Sequence, residues 1–343
     1  MIVIDDRNLP DRIGNIDIVN RIGRREITHA IHDIDGTYSL IRQWRPVMSR
    51  SLWYAMSQGL KGDYDSPEKV RQVSEKTGSE PLEETDRFCV ESAGLSALTQ
   101  MEWAIRRGIE MGTIAIPGYE LSEEEKKINS EIIQKIWNGE EVFDDFGESE
   151  KLKTYLQENT PRLFKLYEQV LNSVCRDRNL EKARQNPSEW LVPGSLEFIR
   201  YLHKAGIKNY FVTGAVIEAD KNGAHLEKGM YEEVLAVGFD IGPGREIEHL
   251  YGSTWDEKVP KREVVKRLSI ELGVPGKNML VVGDGRVEIS VGVEINAVTI
   301  SRIPENSPRD REIHTELRTN YILPDYTSPE LFRLISAGGA ACQ

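Results

Sequence analysis

Cysteine is scarce. Cys89, Cys175 and Cys342 are the three in 343 residues, widely spaced and odd in number, which argues against a disulfide framework and suits a reducing compartment. No CxxC pair or Cys/His cluster suggests zinc. No apolar run approaches the roughly 18 residues that crossing a bilayer requires. Positive charge is also in short supply: 44 Lys and Arg stand against 56 Asp and Glu, a net charge of −12. That excludes a wide non-specific nucleic-acid surface, which needs clustered cations, but not a local site for a small anion. The opening "MIVIDDRNLPDRIG" is acidic from its fifth residue, unlike a secretory signal. Repeats and low-complexity tracts are absent as well. The expectation is a soluble, cytoplasmic protein with neither nucleic acid nor membrane as partner. A hydrophobic fraction of 39% supplies a sizeable core.

What is present changes texture twice. Residues 1–27 hold short alternating stretches, expected to form a hairpin or edge strands, and "THAIH" (28–32) reads as a first central strand. Between about 45 and 185, apolar residues recur every three or four positions, as in "LSALTQMEWAIRRGIEMG" and "PRLFKLYEQVLNSVCRDRNLEKARQ". These are amphipathic helices, with Ser66-Pro67 and the Ser122/Glu125 capping box as starts. From about 190, strands and helices alternate. "KNYFVTG", "YEEVLAVGFD", "NMLVVGDG", "INAVTIS" and "NYILPD" read as strands, and "PGSLEFIRYLHKAG" and "KREVVKRLSIELG" as helices closed by glycine. Such alternation predicts a doubly wound parallel sheet. The tail "SAGGAACQ" is expected to be loose. The predicted division is an α/β core of residues 1–45 and 185–343, with 1–27 an N-terminal extension, and an all-helical insert over 46–184.

In an open parallel sheet, ligands bind beyond the carboxyl ends of the strands. The polar residues falling there are Asp33 and Asp35, Thr213-Gly214, and Asp284 with Glu288, with lysines in "TWDEKVPKREVVKRL" between the last two. Alternation puts Asp33 and Asp35 on one face of an extended chain, where two carboxylates repel unless a cation or shared proton relieves them. The chemistry open to this set is narrow. A carboxylate attacks phosphorus, a second carboxyl protonates the leaving oxygen, Mg²⁺ takes hard oxygen ligands, and a lysine and a hydroxyl hold phosphoryl oxygens.

The chain resembles the haloacid dehalogenase-like (HAD) hydrolases of the phosphatase type. "HDIDGT" is similar to the family's first motif, "YFVTG" to its second, and "VVGDGRVE" to its fourth, with glutamate in place of the last aspartate. The likeness covers residues 28–45 and 190–325. It implies a Rossmann-like HAD core with a helical C1-type cap inserted after the first motif, and Mg²⁺ as cofactor. It also implies roles. Asp33 would be the nucleophile and a metal ligand. Asp35 would be the general acid/base, its backbone carbonyl on the metal. Asp284 would be a direct ligand and Glu288 an outer one. Thr213 and the Gly214 N–H would bind phosphoryl oxygen. For the lysine, Lys258 lies 26 residues before Asp284 and Lys261 lies 23 before it. The family's spacing of about 25 favours Lys258. Arg42, just after the first motif, is a candidate substrate contact, although a structural role competes with it.

Asp35 separates the possible reactions. Dehalogenation needs no acid two residues after the nucleophile, whereas an alkoxide leaving group does. The expected activity is Mg²⁺-dependent hydrolysis of a small phosphorylated metabolite, a phosphate monoester such as a sugar phosphate or nucleotide, through an aspartyl phosphate. A phosphomutase uses the same residues, and an idle HAD-like module whose cap binds a partner is the reading from another class. His32 is expected to face away from the site as a buried structural histidine. Trp53, Trp103 and Trp137 are expected in the helical core, and the acidic run "EEVFDDFGESE" in a solvated loop.

Overall fold

The structure of the chain is a computed structural model, and it describes residues 1–141, 143, 146–218, 226–254 and 259–337. It divides into two compact units. Residues 1–41, 180–254 and those from 259 onward form an α/β unit, and residues 42–179 form a helical unit. The divisions fall at 41/42 and 179/180, against the expected 45/46 and 184/185.

The α/β unit is built on an eight-stranded sheet. Its first strands are short: β1 (Ile2–Asp5), β2 (Arg12–Ile13), β3 (Ile16–Ile18) and β4 (Arg24–Ile27). The strands that follow are β5 (His29–His32), β6 (Lys208–Val216), β7 (His249–Ser253), β8 (Met279–Gly283), β9 (Val298–Arg302), β10 (Tyr321–Leu323) and β11 (Ile335–Ala337). The sheet order is β2-β3-β10-β9-β8-β5-β6-β7. From β10 to β7 every pair is parallel, and β3 adds to β10 antiparallel. Chain order runs outward from β5 through β6 to β7, then returns to β8 on the other side of β5. The sheet therefore reverses its winding between β5 and β8, the place where open α/β sheets bind ligands.

Both faces are covered, which explains the apolar runs in the central strands. On one face Ile31, Tyr210, Val212, Met279 and Val281 pack with Val264, Val265 and Leu268 of α10 (Lys261–Glu271), beside α11 (Arg286–Glu294). On the other, Ala30, Phe211, Leu280, Val282 and Ile300 pack with Phe198, Ile199 and Leu202 of α8 (Ser195–Lys204). Three more helices complete the unit: α9 (Gly229–Ala236), α12 (Pro308–Glu316) and α13 (Pro329–Leu334).

Three departures from the sequence reading have local causes. "YEEVLAVGFD" is not a strand: α9 covers most of it, with Met230 and Val234 four apart on the buried side. The strand is instead β7, disguised by Gly252, where a side chain would crowd the Ala215 carbonyl. The start of the tail is not loose, because β11 pairs antiparallel with β1. β1 also pairs with β4, forming a second, three-stranded sheet.

The helical unit holds α1 (Trp44–Gln58), α2 (Pro67–Lys76), α3 (Glu83–Glu91), α4 (Ala97–Glu110), α5 (Glu123–Trp137) and α6 (Glu150–Leu171). One π-turn over Asn172–Arg176 leads to α7 (Asp177–Gln185), where the chain passes back to the α/β unit. Pro67 follows its N-cap Ser66. Ser122 and Glu125 form the reciprocal capping box, Ser122 N–H donating to Glu125 Oε2 at 2.8 Å and Glu125 N–H to Ser122 Oγ at 3.3 Å. Trp103 is fully buried and stacks on Phe88 with ring centres 3.7 Å apart, whereas Trp53 and Trp137 are half-buried. The acidic run is not simply solvated. Glu141 is buried and accepts from Ser96 N–H at 2.8 Å and Thr99 Oγ1 at 3.0 Å. Glu148 pairs with the buried guanidinium of Arg106.

Candidate active site

β5 stops at His32, and Asp33 continues the ladder by donating its N–H to the Val282 carbonyl at 2.9 Å. His32 pairs with Val282 across β5 and β8. Asp33 and Asp284 therefore leave the sheet at the ends of adjacent strands. Alternation places Asp33 on the face of Ile31, the face covered by α10 and α11. Those helices supply the other two members. Lys261 opens α10 and Glu288 lies in the first turn of α11. One oxygen each from Asp33, Asp284 and Glu288 lie within 4.8 Å of one another.

Two of the three carboxylates meet a buried cation. Lys261, 4% exposed, forms an ion pair with Asp33 Oδ1, and its Nζ lies 3.6 Å from Glu288 Oε2. Burial acts to lower the pKa of this lysine, but the charges of Asp33 and Glu288 outweigh it and raise it. Burial pushes Glu288 upward, against the pull of Lys261. Glu288 Oε1 accepts from Gly285 N–H at 2.6 Å and caps α11. Its Oε2 is buried and accepts no hydrogen bond among the described residues.

The loop after Asp33 is shaped by its neighbour. Gly36 has φ of +80°, and a Cβ there would fall on the Asp284 carboxylate, so this position needs glycine twice over. Thr37 Oγ1 lies 3.0 Å from Asp33 Oδ2 and 3.3 Å from Asp284 Oδ1. With one proton to donate, the hydroxyl bridges the two acids. Asp35 is half-buried in the same turn, whose Gly36 N–H donates to Ser39 O at 2.9 Å.

The remaining sequence-derived residues fall as follows. Phe211 pairs with His32 across β5 and β6, so Thr213 and Gly214 lie at the same carboxyl end, one strand over. The Thr213 hydroxyl accepts from Ala215 N–H at 3.0 Å, beside an irregularity in the β6–β7 register between Val212 and Val216. Lys258 lies outside the described residues. Among the described residues the lysine that meets the carboxylates is Lys261, the first residue of α10, which spacing had ranked second. Arg42 is in the helical unit, buried, with Nη1 3.1 Å from Glu168 Oε1. His32 faces away from the carboxylates. Its Nε2 meets Asn209 Oδ1 at 3.1 Å and its Nδ1 meets Tyr38 Oη at 2.8 Å. Burial holds its pKa down at about 4, with the Asn209 hydrogen bond pulling the other way.

The residues fit a hard divalent cation. Three carboxylates and one ammonium leave a formal charge of −2, all the donors are oxygens, and one buried oxygen accepts no hydrogen bond. Mg²⁺ favours such carboxylate sites with open positions for phosphate and water. Among the described residues, no helix is long and apolar enough to cross a membrane.

No family model matches the chain, and no curated protein does. Solved structures do. A provisionally named phosphoglycolate phosphatase from Lactobacillus delbrueckii subsp. bulgaricus aligns with 91% of this chain and 99% of its own, at 14% identity and TM-score 0.46. A beta-phosphoglucomutase from Clostridium difficile aligns with 90% and 96%, at 12% identity and TM-score 0.40. A provisionally named HAD-hydrolase from Bacillus subtilis, solved bound to magnesium, aligns with 90% and 99%, at 14% identity and TM-score 0.39. At these values the likeness carries no argument of its own. The winding of the sheet and the meeting of Asp33, Asp284 and Glu288 at its switch point agree with the resemblance to the HAD hydrolases read from the sequence.

Proposed function

We propose that the chain is a Mg²⁺-dependent phosphohydrolase acting on a phosphate monoester of a small metabolite. The observation that supports this most is the convergence of Asp33, Asp284 and Glu288 within 4.8 Å, with Lys261 ion-paired to Asp33. Asp33 is the nucleophile. Its Oδ attacks phosphorus, the ester oxygen leaves, and an aspartyl phosphate forms. Lys261 and Thr37 hold the Asp33 carboxylate in one orientation, and Lys261 also balances charge on the phosphoryl oxygens. Asp35 protonates the leaving oxygen, then takes a proton from the water that hydrolyses the acyl phosphate. Thr213 and the Gly214 N–H bind phosphoryl oxygen. Asp33, Asp284, the Asp35 carbonyl and, further out, Glu288 would hold Mg²⁺, which supplies charge neutralisation for the transferring group.

Substrate choice is assigned to the helical unit, because it is inserted between the first and second motifs. Arg42 would have to exchange its Glu168 partner to meet substrate. The test is phosphate release from p-nitrophenyl phosphate and a panel of phosphorylated metabolites, with Mg²⁺ or with EDTA. Release that requires Mg²⁺ and vanishes in Asp33→Asn supports the reading. Isomerisation without release points to a mutase, and no reaction on any ester, with no divalent-ion binding, contradicts it.

A further inference from the structure

The loop that carries the acids is held from outside by two donors that no motif contains. Arg302 is the last residue of β9, beside β8, whose Gly283 pairs with Ser301. Its Nη1 donates to the Gly36 carbonyl at 3.0 Å, and its Nε donates to the Pro324 carbonyl at 2.9 Å. The guanidinium thus ties the turn after Asp35 to the segment after β10. Two residues after Pro324, Tyr326 Oη donates to the Thr37 carbonyl at 3.1 Å. Tyr326 is fully buried and fixed on both sides, stacked on Tyr38 with ring centres 5.1 Å apart and on Phe198 at 4.8 Å.

These donors act on the two residues where position matters most. Gly36 is the residue whose backbone runs against the Asp284 carboxylate. Thr37 is the residue whose hydroxyl bridges Asp33 and Asp284. Two carboxylates brought together repel, and the turn after Asp33, which meets Asp284 through Gly36 and Thr37, is free to shift unless something outside it resists. We propose that Arg302 and Tyr326 are positioning residues: a two-donor clamp on consecutive carbonyls, Gly36 O and Thr37 O, which sets the separation of Asp33 from Asp284. Neither touches the reacting atoms. The clamp rests on the proposed phosphohydrolase reading for its consequence in turnover, but its effect on the paired carboxylates is separate from turnover.

Arginine suits the role because its planar fork reaches two carbonyls in fixed directions, which a lysine ammonium does not. The test compares Arg302→Lys and Tyr326→Phe with the wild type by two readouts: Mn²⁺ binding followed by electron paramagnetic resonance, and steady-state hydrolysis of p-nitrophenyl phosphate. Both variants keep bulk, and Tyr326→Phe also keeps the ring stack, so it remains informative where an arginine variant fails to fold. The expected result is Mn²⁺ affinity weakened about 10-fold, as for groups that orient ligands from outside. With it, kcat falls roughly 10-fold or more, as misplacement by a fraction of an ångström produces, while KM changes less. Wild-type Mn²⁺ affinity and kcat in both variants overturn the clamp. Full rescue by Arg302→Lys overturns it too, because charge alone then suffices. A wild type that binds Mn²⁺ but hydrolyses no ester contradicts the phosphohydrolase reading instead, and the Mn²⁺ comparison still decides the clamp.

Discussion

The two units bury charge for different ends. In the helical unit buried cations meet acids that hold helices and loops together. Arg106 pairs with Glu102 and Glu148, and Arg50 reaches Glu80 at 3.2 Å. In the α/β unit Lys261 pairs with Asp33 and Glu288, and Asp284 lies beside them. Gathering like charges away from water is costly, so three converging carboxylates persist only where the surrounding fold compels it. The pairs that tie helices and loops read as architecture and the gathered carboxylates as chemistry.

The sharpest way to break this contrast is to make the same lesion twice. Asp33→Asn is expected to lower turnover by on the order of 10⁴-fold or more, as loss of a nucleophile does, while the melting temperature holds or rises because one repelling charge is gone. Activity surviving in Asp33→Asn would collapse the distinction. Lys261→Met and Arg106→Met each strip a buried cation from its acids, at about 3–5 kcal/mol of stability, measured by urea unfolding. Lys261→Met should also abolish turnover per folded molecule, whereas Arg106→Met should leave it within about 3-fold. Equal losses of turnover in the two would contradict the assignment.

Two smaller effects sharpen the comparison. His32 is neutral and buried in the α/β unit, with its pKa lowered from 6.5 to about 4. The unfolded chain therefore binds a proton that the folded one refuses. The stabilisation is complete above pH 6.5 and is lost as pH falls toward 4, by about 3 kcal/mol at most. Unfolding curves of His32→Asn should lack that part of the acid dependence. Least of all, Glu125 of the α5 capping box has its pKa lowered to about 2, chiefly by the Tyr119 hydroxyl. Its contribution is present above pH 4.5 and fades as pH falls toward 2. Glu125→Ala should cost about 1 kcal/mol or less at neutral pH, with turnover unchanged.

The contrast also explains what could be read from the chain. The meeting of Asp33 and Asp284 was legible because strand-end placement is a local rule. The helices over 44–171 were legible from their spacing, as was the Ser122 cap. Spacing ranked Lys261, which meets the carboxylates, second, since the length of a loop entering a helix leaves no periodic trace. α9 was read as a strand because short apolar segments look alike in either form, and β7, interrupted by a glycine, was not read at all. Glu141 and Glu148 looked solvated because their partners, Thr99 and Arg106, lie some 40 residues away in the chain. Arg302 and Tyr326 left no local signal: each matters through a backbone carbonyl far earlier in the sequence.

The most direct test of the central claim is to trap the intermediate. Wild-type protein with Mg²⁺ is mixed with a phosphate ester it hydrolyses, quenched in acid during turnover, and mapped by peptide mass spectrometry. The account predicts a hydroxylamine-labile phosphoryl group on Asp33, absent from Asp33→Asn. Rapid turnover with phosphate on no residue, or on a residue other than Asp33, would contradict it.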